Sequence, residues 1–477
     1  MKKLMTILMA VLLLAGCGSK TVIDNNETED NTVNTNTDAI TDNEEKPVEN
    51  ITVEVTTTVN NTIKETVSFN GTDYDTSVSK RDLSGSYDQI TGTVSFSGSD
   101  VSVTGKNITV SGSTVKITAE GTYVLSGNGT ATVIVETDSN SKVQIILNNL
   151  TLQGENNAAI LIGQADKVFI TLADNTVNTL SDPSSYTYTY DGTDVDAALF
   201  AKDDLTINGT GTLNVTGNKS HGIVCKDDLI IAGATVSVTS KNTAINGKDS
   251  VLLISATVSV NAGTDGIKSA NDTDAGKGYI YINSSTVTAK ATDKGLQATS
   301  AIIIDSGTIS VTARDDGIHS DKDILINSGT LTVNSGDDGI HRDHTLEIND
   351  GMVTVKAGEG MEATIVTLND GEVTINASDD GINAAKKVSG VTPCITINGG
   401  TLTINMGQGD TDALDSNGNL IINGGYISIT AQFPFDWDGT AQLNGGTVIV
   451  NGSQVTHLTN QFGGGGQPGG GGFGPRG

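Results

Sequence analysis

The chain has 477 residues, with 57 glycines, 6 prolines and 4% aromatic side chains, and it is crowded with Thr, Val, Ile, Asn and Ser. That composition suits strands and tight turns rather than helices, arranged as one repetitive β domain. With 56 acidic against 27 basic residues the formal charge is -29, which argues against nucleic-acid backbones as ligands and for cations, or ligands reached through cations.

Lys2 and Lys3 precede an apolar run over residues 4–15, and Leu14-Ala15-Gly16-Cys17 closes it. This resembles the lipobox of bacterial lipoproteins, whose signal peptide is cut before the cysteine that takes the lipid. The resemblance implies export, a lipid on Cys17 and a membrane-anchored position at the cell surface. About 12 apolar residues fall short of the roughly 20 needed to span a bilayer. Residues 18–50 are Asn, Thr, Asp and Glu with almost nothing to bury, and are expected to form a disordered acidic tether. Residues 51–141 read as irregular β structure forming an N-terminal cap, 142–461 as the main domain, and 462–477 as a disordered glycine-rich tail.

The main domain is repetitive. Asp-Asp-Gly-Ile-His occurs at 315–319 and again at 337–341, and related positions are Gly222, Ala244, Gly266, Gly295, Gly317, Gly339, Gly360, Gly381 and Ala413. A period near 22 with occasional insertions means a solenoid. Each period holds three short alternating runs, such as Ile324 to Asn327, Thr330 to Val333 and Gly339 to His341. Asn-Ser-Gly, Asn-Asp-Gly or Asn-Gly-Gly separates the first two runs at 327–329, 349–351, 369–371, 398–400 and 423–425, because Asn and Gly tolerate positive φ. Stacked coils would align those asparagines into a structural ladder. A leucine-rich repeat has a similar period but a more helical return, so the expected fold is an all-β, right-handed parallel β-helix of about a dozen coils with an N-terminal β cap. Cys225 and Cys394 then lie about eight coils apart, too far for a disulfide, and read as buried thiols.

In register, Asp316, Asp338, Glu359 and Asp380 fall above one another, with Asp265 and Asp412 further along. Carboxylates about 5 Å apart repel by about 1 to 3.5 kcal/mol. Asp315, Asp337 and Asp379 add to the crowding, as do Asp410, Asp412 and Asp415 in one later bend. Hard oxygen ligands from adjacent coils are what Ca²⁺ requires, and Mg²⁺, with its strict octahedron, suits the array poorly. The alternative is a solvated acidic edge neutralised by Lys294, Arg314, Lys322 and Arg342.

Two residues past the glycine runs an outward row, Lys268, Gln297, His319, His341, Glu362, Asn383 and Asp415, alternating with core positions Ile267, Leu296, Ile318, Ile340, Met361, Ile382 and Leu414. His319 and His341 could join aspartates around Zn²⁺, although no third and fourth ligands stand out in the sequence. The next position is small in most coils, and Arg342 breaks that column. The strand is expected to end a residue early there; the alternative is a buried arginine paired with Asp338 or Asp343. Two aromatic clusters fall outside the regular coils: Tyr186, Tyr188 and Tyr190 in a long insertion, and Phe433, Phe435 and Trp437 near the C-terminus. They are sugar-contact candidates, with a surface flap and a cap over the core as the respective structural alternatives.

Taken together, the lipoprotein start, the Asp-Asp-Gly-Ile coils, the Asn-Gly-Gly bends, the segment 433–439 and the glycine-rich tail make the sequence similar to a family of bacterial carbohydrate-binding β-helix proteins. That family resembles pectate lyases in fold and includes binders of cellulose and polygalacturonate. The resemblance implies calcium in the helix and an acidic or plant-type polysaccharide as partner, with a Ca²⁺ bridge between protein and uronate carboxylates. Lys268, His319, His341 and the two aromatic clusters are the carbohydrate-contact candidates, on a chain expected to be monomeric. A calcium-dependent lyase using Lys268, Lys294, Arg314 or Arg342 as base is the enzymatic rival, and a protein-binding surface scaffold is a third class.

Overall fold

The computed structural model describes residues 52–55, 64–408 and 411–460. The lipobox with Cys17, the tether, the glycine-rich tail and Asp410 lie outside the described residues. Among these residues the fold is all β apart from one short helix, Lys80–Leu83, which Ser79 and Asp82 close with a capping box.

Short β-branched runs separated by glycine and asparagine turns give three strands per repeat. Asp323–Ile326, Thr330–Asn334 and Asp338–Arg342 are followed one repeat later by Thr345–Ile348, Met352–Ala357 and Glu359–Ala363. Every strand pairs in parallel with its counterpart in the next repeat, as in Ile324 with Leu346, Leu331 with Val353 and Ile340 with Met361. The result is three stacks of parallel strands with a solenoid-like connection, the third being a 15-stranded sheet. Alternation sends Ile324, Ile326, Leu331, Val333 and Ile340 into one continuous interior. Burying each such side chain contributes roughly 1.5–3 kcal/mol.

Two devices recur along the stacks. Asn349 Nδ2 donates to Asn327 Oδ1 at 2.8 Å, Asn369 to Asn349 at 2.7 Å, and Asn398, Asn423 and Asn444 each to the preceding asparagine at 2.8 Å. The ladder thus satisfies bend amides from repeat to repeat. The glycine that opens the third strand is demanded by packing, since a Cβ at Gly317 would sit 2.1 Å from Val333 Cγ1.

Antiparallel hairpins close both ends of the stacks, where unpaired edges would otherwise template association. Gly92–Gly98 pairs antiparallel with Asp100–Gly105 and parallel with Gly121–Thr130, so parallel stacking already begins before residue 142. Thr447–Val450 turns back against Ser453–Val455 at the other end. The hairpin Thr66–Phe69 and Thr72–Asp75 lies instead on an outer face, where Val67, Phe69 and Tyr74 pack on Ile230, Leu252, Tyr279, Tyr281 and Ile303.

Three expectations are corrected here. The strand holding Arg342 does not stop early: it runs Asp338–Arg342, and the arginine side chain is fully buried. Nη2 donates to Ile365 O at 3.0 Å, while Nε and Nη1 have no hydrogen-bond partner. Cys394 is half-buried rather than buried, although both cysteines are free thiols. Phe435 is 3% exposed and belongs to the core, so it offers no face to a sugar.

Candidate functional site

The third sheet carries the site. Its pairings place Asn246, Lys268, Gln297, His319, His341, Glu362, Asn383, Asp415 and Asp436 in one outward row, each directly beside the next. One bend earlier, Asp338 stands beside Glu359, and Asp412 beside Phe433. The inner acids also tie the repeats together: Asp338 N–H donates to Asp316 Oδ1 at 3.3 Å and Asp412 N–H to Asp380 Oδ1 at 3.1 Å.

Along this edge the acids meet three different surroundings. Towards the N-terminal side the counter-charge is lysine. Lys268 Nζ holds Asp265 Oδ2 at 3.0 Å, and Lys294 Nζ pairs with Asp315 and lies 3.3 Å from Asp293 and 3.8 Å from Asp316. Burial acts against the Lys294 ammonium, but Asp315, Asp316 and Asp293 outweigh it and raise its pKa. Asp315, Asp316 and Asp337 each bring one oxygen within 4.8 Å of the others. Burial and then Asp338, Asp316 and Asp315 raise the Asp337 carboxyl.

In the middle the counter-groups are histidines. His319 Nδ1 is 2.8 Å from Asp316 Oδ2 and its Nε2 is 3.1 Å from Asp321 Oδ1. His341 Nδ1 contacts Asp338 Oδ2 and lies 3.4 Å from Glu362 Oε2, which Lys387 Nζ approaches to 2.6 Å. The two rings stack with centroids 4.9 Å apart. Burial disfavours a charged His319, yet its hydrogen bonds to Asp316 and Asp321 prevail and lift it to about 9.

Beyond the histidines, oxygen donors predominate: Glu359, Asp380, Asn383, Asp412, Asp415 and Asp436. Glu359 Oε1, Asn383 Oδ1 and Asp436 Oδ1 are buried atoms without a hydrogen-bond partner. Burial, then Glu362 and Asp338, push the Glu359 carboxyl up to about 9. Burial, then Asp380, Asp436, Asp412 and Asp438, push Asp415 up to about 7. Asn383 adds a neutral oxygen to the carboxylates of this run, the type of ligand that a hard cation takes. Asp379 is exposed beside this run.

The aromatic candidates sit elsewhere. Tyr186, Tyr188 and Tyr190 are half-buried. Lys219 Nζ lies 4.1 Å from the Tyr186 ring centre and Lys202 Nζ 5.5 Å from that of Tyr190, and Tyr188 and Tyr190 pack on Leu161, Val195 and Phe200. Their faces are therefore largely spoken for by the protein itself. Trp437 stands beside Ser416, in the row of small inward positions, and packs on the core. Phe433 is half-buried next to Asp412.

Sequence reasoning passed over a second acidic corner. Lys-Asp-Asp-Leu at 202–205 recurs at 226–229, and stacking brings Asp204, Asp227 and Asp228 to within 4.8 Å of one another. Lys277 answers it from an insertion, 2.9 Å from Asp228 and 3.8 Å from Asp249. The repeated tetrapeptide was the available signal. Lys387 and Glu362 had no such repeat to mark them as a pair.

A carbohydrate-binding domain-containing protein of Acetivibrio thermocellus is 33% identical over 126 residues, which are 26% of this chain and 44% of that protein. The chain thus spans less than half the length of this curated relative. Among solved structures, the gadolinium derivative of a polysaccharide lyase-like protein from C. thermocellum aligns at 29% identity with a TM-score of 0.45, covering 47% of this chain and 92% of that one. The family model of carbohydrate-binding domain-containing proteins matches residues 111–363 and 307–456, and the chain belongs to that family.

Proposed function

We propose that the chain is a non-catalytic, calcium-dependent binder of acidic plant-type polysaccharide, polygalacturonate above all, displayed at the cell surface from a lipid on Cys17. In this reading the stacks form a right-handed parallel β-helix of about a dozen coils, and the chain acts as a monomer. The observation that carries the reading is the oxygen-rich run on the third sheet, with buried Glu359 Oε1 and Asn383 Oδ1 lacking partners. Neighbouring members of the run Glu359, Asp380, Asn383, Asp412, Asp415 and Asp436 would hold Ca²⁺ between one coil and the next. The ion would supply positive charge that both relieves carboxylate repulsion and faces a uronate carboxylate. Of the other acidic candidates, Asp315 and Asp316 are already engaged by Lys294 and His319, while Asp337 and Asp338 neighbour the His341 group.

Binding is favoured over lyase chemistry by the state of the cations. A lyase base must be unprotonated and reach the substrate. Of the four candidate bases, Lys268 and Lys294 are locked to carboxylates and Arg342 is enclosed, while Arg314 is exposed.

Sedimentation with insoluble polygalacturonate, in Ca²⁺ and then in excess chelator, tests the reading while the supernatant is followed for unsaturated uronide. Calcium-dependent retention without product is expected. Product would make the protein a lyase, and neither retention nor product would shift the assignment to another glycan or a protein partner.

A further inference from the structure

We infer that His319 and His341, together with Asp316, Asp338 and Glu362, form a site for one transition-metal ion of the Zn²⁺ class, separate from the oxygen-rich run. The inference stands whether or not the glycan reading does. A neutral imidazole has one N–H and one lone pair. His319 nevertheless has a carboxylate at each nitrogen, Asp316 Oδ2 at 2.8 Å from Nδ1 and Asp321 Oδ1 at 3.1 Å from Nε2. With a single N–H the ring can donate to only one of these carboxylates, which leaves the lone pair of its other nitrogen facing a carboxylate lone pair. Only a second proton or a metal ion can occupy that contact favourably.

One coil on the inner half of the arrangement recurs, with Asp338 and Glu362 at His341 Nδ1, while Asp343 Oδ1, 4.0 Å from Nε2, is too far to hydrogen-bond the ring. An outer carboxylate that orients a ring whose other nitrogen ligates is the usual second shell of a metal-bound histidine. Asp316, His319 and His341 bring one donor atom each within 4.8 Å of one another, as do Asp338, His341 and Glu362, so the two groups share His341. The inner carboxylate side chains of Asp316, Asp338 and Glu362 are only 7%, 9% and 10% exposed. Two imidazoles among carboxylates select a borderline ion such as Zn²⁺ or Co²⁺ over Ca²⁺, which takes oxygen alone.

The test is calorimetric titration of the full chain in detergent micelles with Zn²⁺ alone, then with Ca²⁺ present, and with Co²⁺ read by visible absorption. One saturable Zn²⁺ per chain is expected, persisting in about a hundredfold excess of Ca²⁺, with Co²⁺ giving bands characteristic of imidazole ligation. His319→Gln with His341→Gln should abolish it, Asp321→Asn should weaken it by about 10-fold, and His344→Gln should leave it unchanged. Absence of saturable binding, displacement by Ca²⁺, or unaltered affinity in the double variant would overturn the assignment. The Ca²⁺ competition on the unaltered chain decides the matter even if the double variant does not fold.

Discussion

A Cβ built on Gly339 would lie 2.2 Å from Val355 Cγ1, and the same closeness relates Gly222 to Val238, Gly295 to Val311 and Gly317 to Val333 at 2.1 Å. The glycine of Asp-Asp-Gly-Ile is therefore the place where the third strand passes over a core valine of the second. Gly339→Ala should cost about 1–3 kcal/mol through overpacking. Trimming the opposing side chain in Gly339→Ala/Val355→Ala should recover part of it, giving a double variant more stable than the sum of the single changes predicts. Urea unfolding of the four proteins measures this. Strict additivity would mean that the glycine is needed for something other than this contact.

Asn369 is held on both sides, donating to Asn349 Oδ1 at 2.7 Å and accepting from Asn398 Nδ2 at 2.8 Å. Asn369→Ala leaves one neighbour without its donor and the other without its acceptor, at about 1–3 kcal/mol. The Asn444 side chain, at the exposed end of the ladder, donates to Asn423 Oδ1 and Gln442 Oε1. Its replacement by Ala should cost less than half as much in the same denaturation series. Equal losses at the two positions would refute the ladder as a cooperative feature.

Arg342 is the largest fully buried side chain. Burial pushes its guanidinium down to about 9, against the pull of Asp323, Asp343 and Glu362. The unfolded chain thus holds this proton more tightly than the folded one, so the group's contribution to stability rises as pH climbs from about 9 towards the unfolded value. Arg342→Met removes the partnerless Nε and Nη1 and the buried charge, and should stabilise the protein at pH 7 by about 1–4 kcal/mol. The gain over the unaltered chain should shrink above about pH 9. Chemical denaturation at neutral and alkaline pH checks both parts, and a destabilised variant at pH 7 would show that the charge is needed by the acids around it.

The period, the Asn bends and the outward row were legible because they are local: the 22-residue spacing and strand alternation fix which residues stack, and His319 does stand beside His341. Whatever depends on the third dimension was not. Nothing in Asp-Asp-Gly-Ile-His says that the inner acid turns onto its own histidine three residues on, as Asp316 does to His319. That contact divides a column that reads as uniform into lysine-balanced, histidine-balanced and oxygen-rich stretches. Arg342 was misjudged because a small-residue column argues against a guanidinium inside, and only the packing reveals that the interior admits one. The aromatic residues misled for a related reason: alternation shows that Tyr186, Tyr188 and Tyr190 share a side, but not that the side faces lysines and an apolar surface of the same chain.

Asp204 offers a pH test away from the third sheet. It lines a cleft of about 240 Å³ with Asp82, Lys167, Asp228, Ser250 and Tyr279. Burial lifts its carboxyl from 3.8 to about 6, with Lys167 opposing and Asp227 and Asp228 adding to the rise. Because the folded state binds this proton more tightly than the unfolded chain, the group favours the fold at low pH. Its contribution is lost as pH rises from about 4 to about 6 and is level above that. Asp204→Asn keeps an acceptor for the Asp228 N–H, which lies 3.4 Å from Asp204 Oδ1, and it carries no charge at any pH. The variant should therefore match the unaltered chain near pH 4 and exceed it in stability at pH 7. Urea midpoints for both proteins across that range give the comparison, in which the many other carboxylates cancel. A difference that does not change with pH would mean that Asp204 ionises as freely in the folded protein as in the unfolded chain.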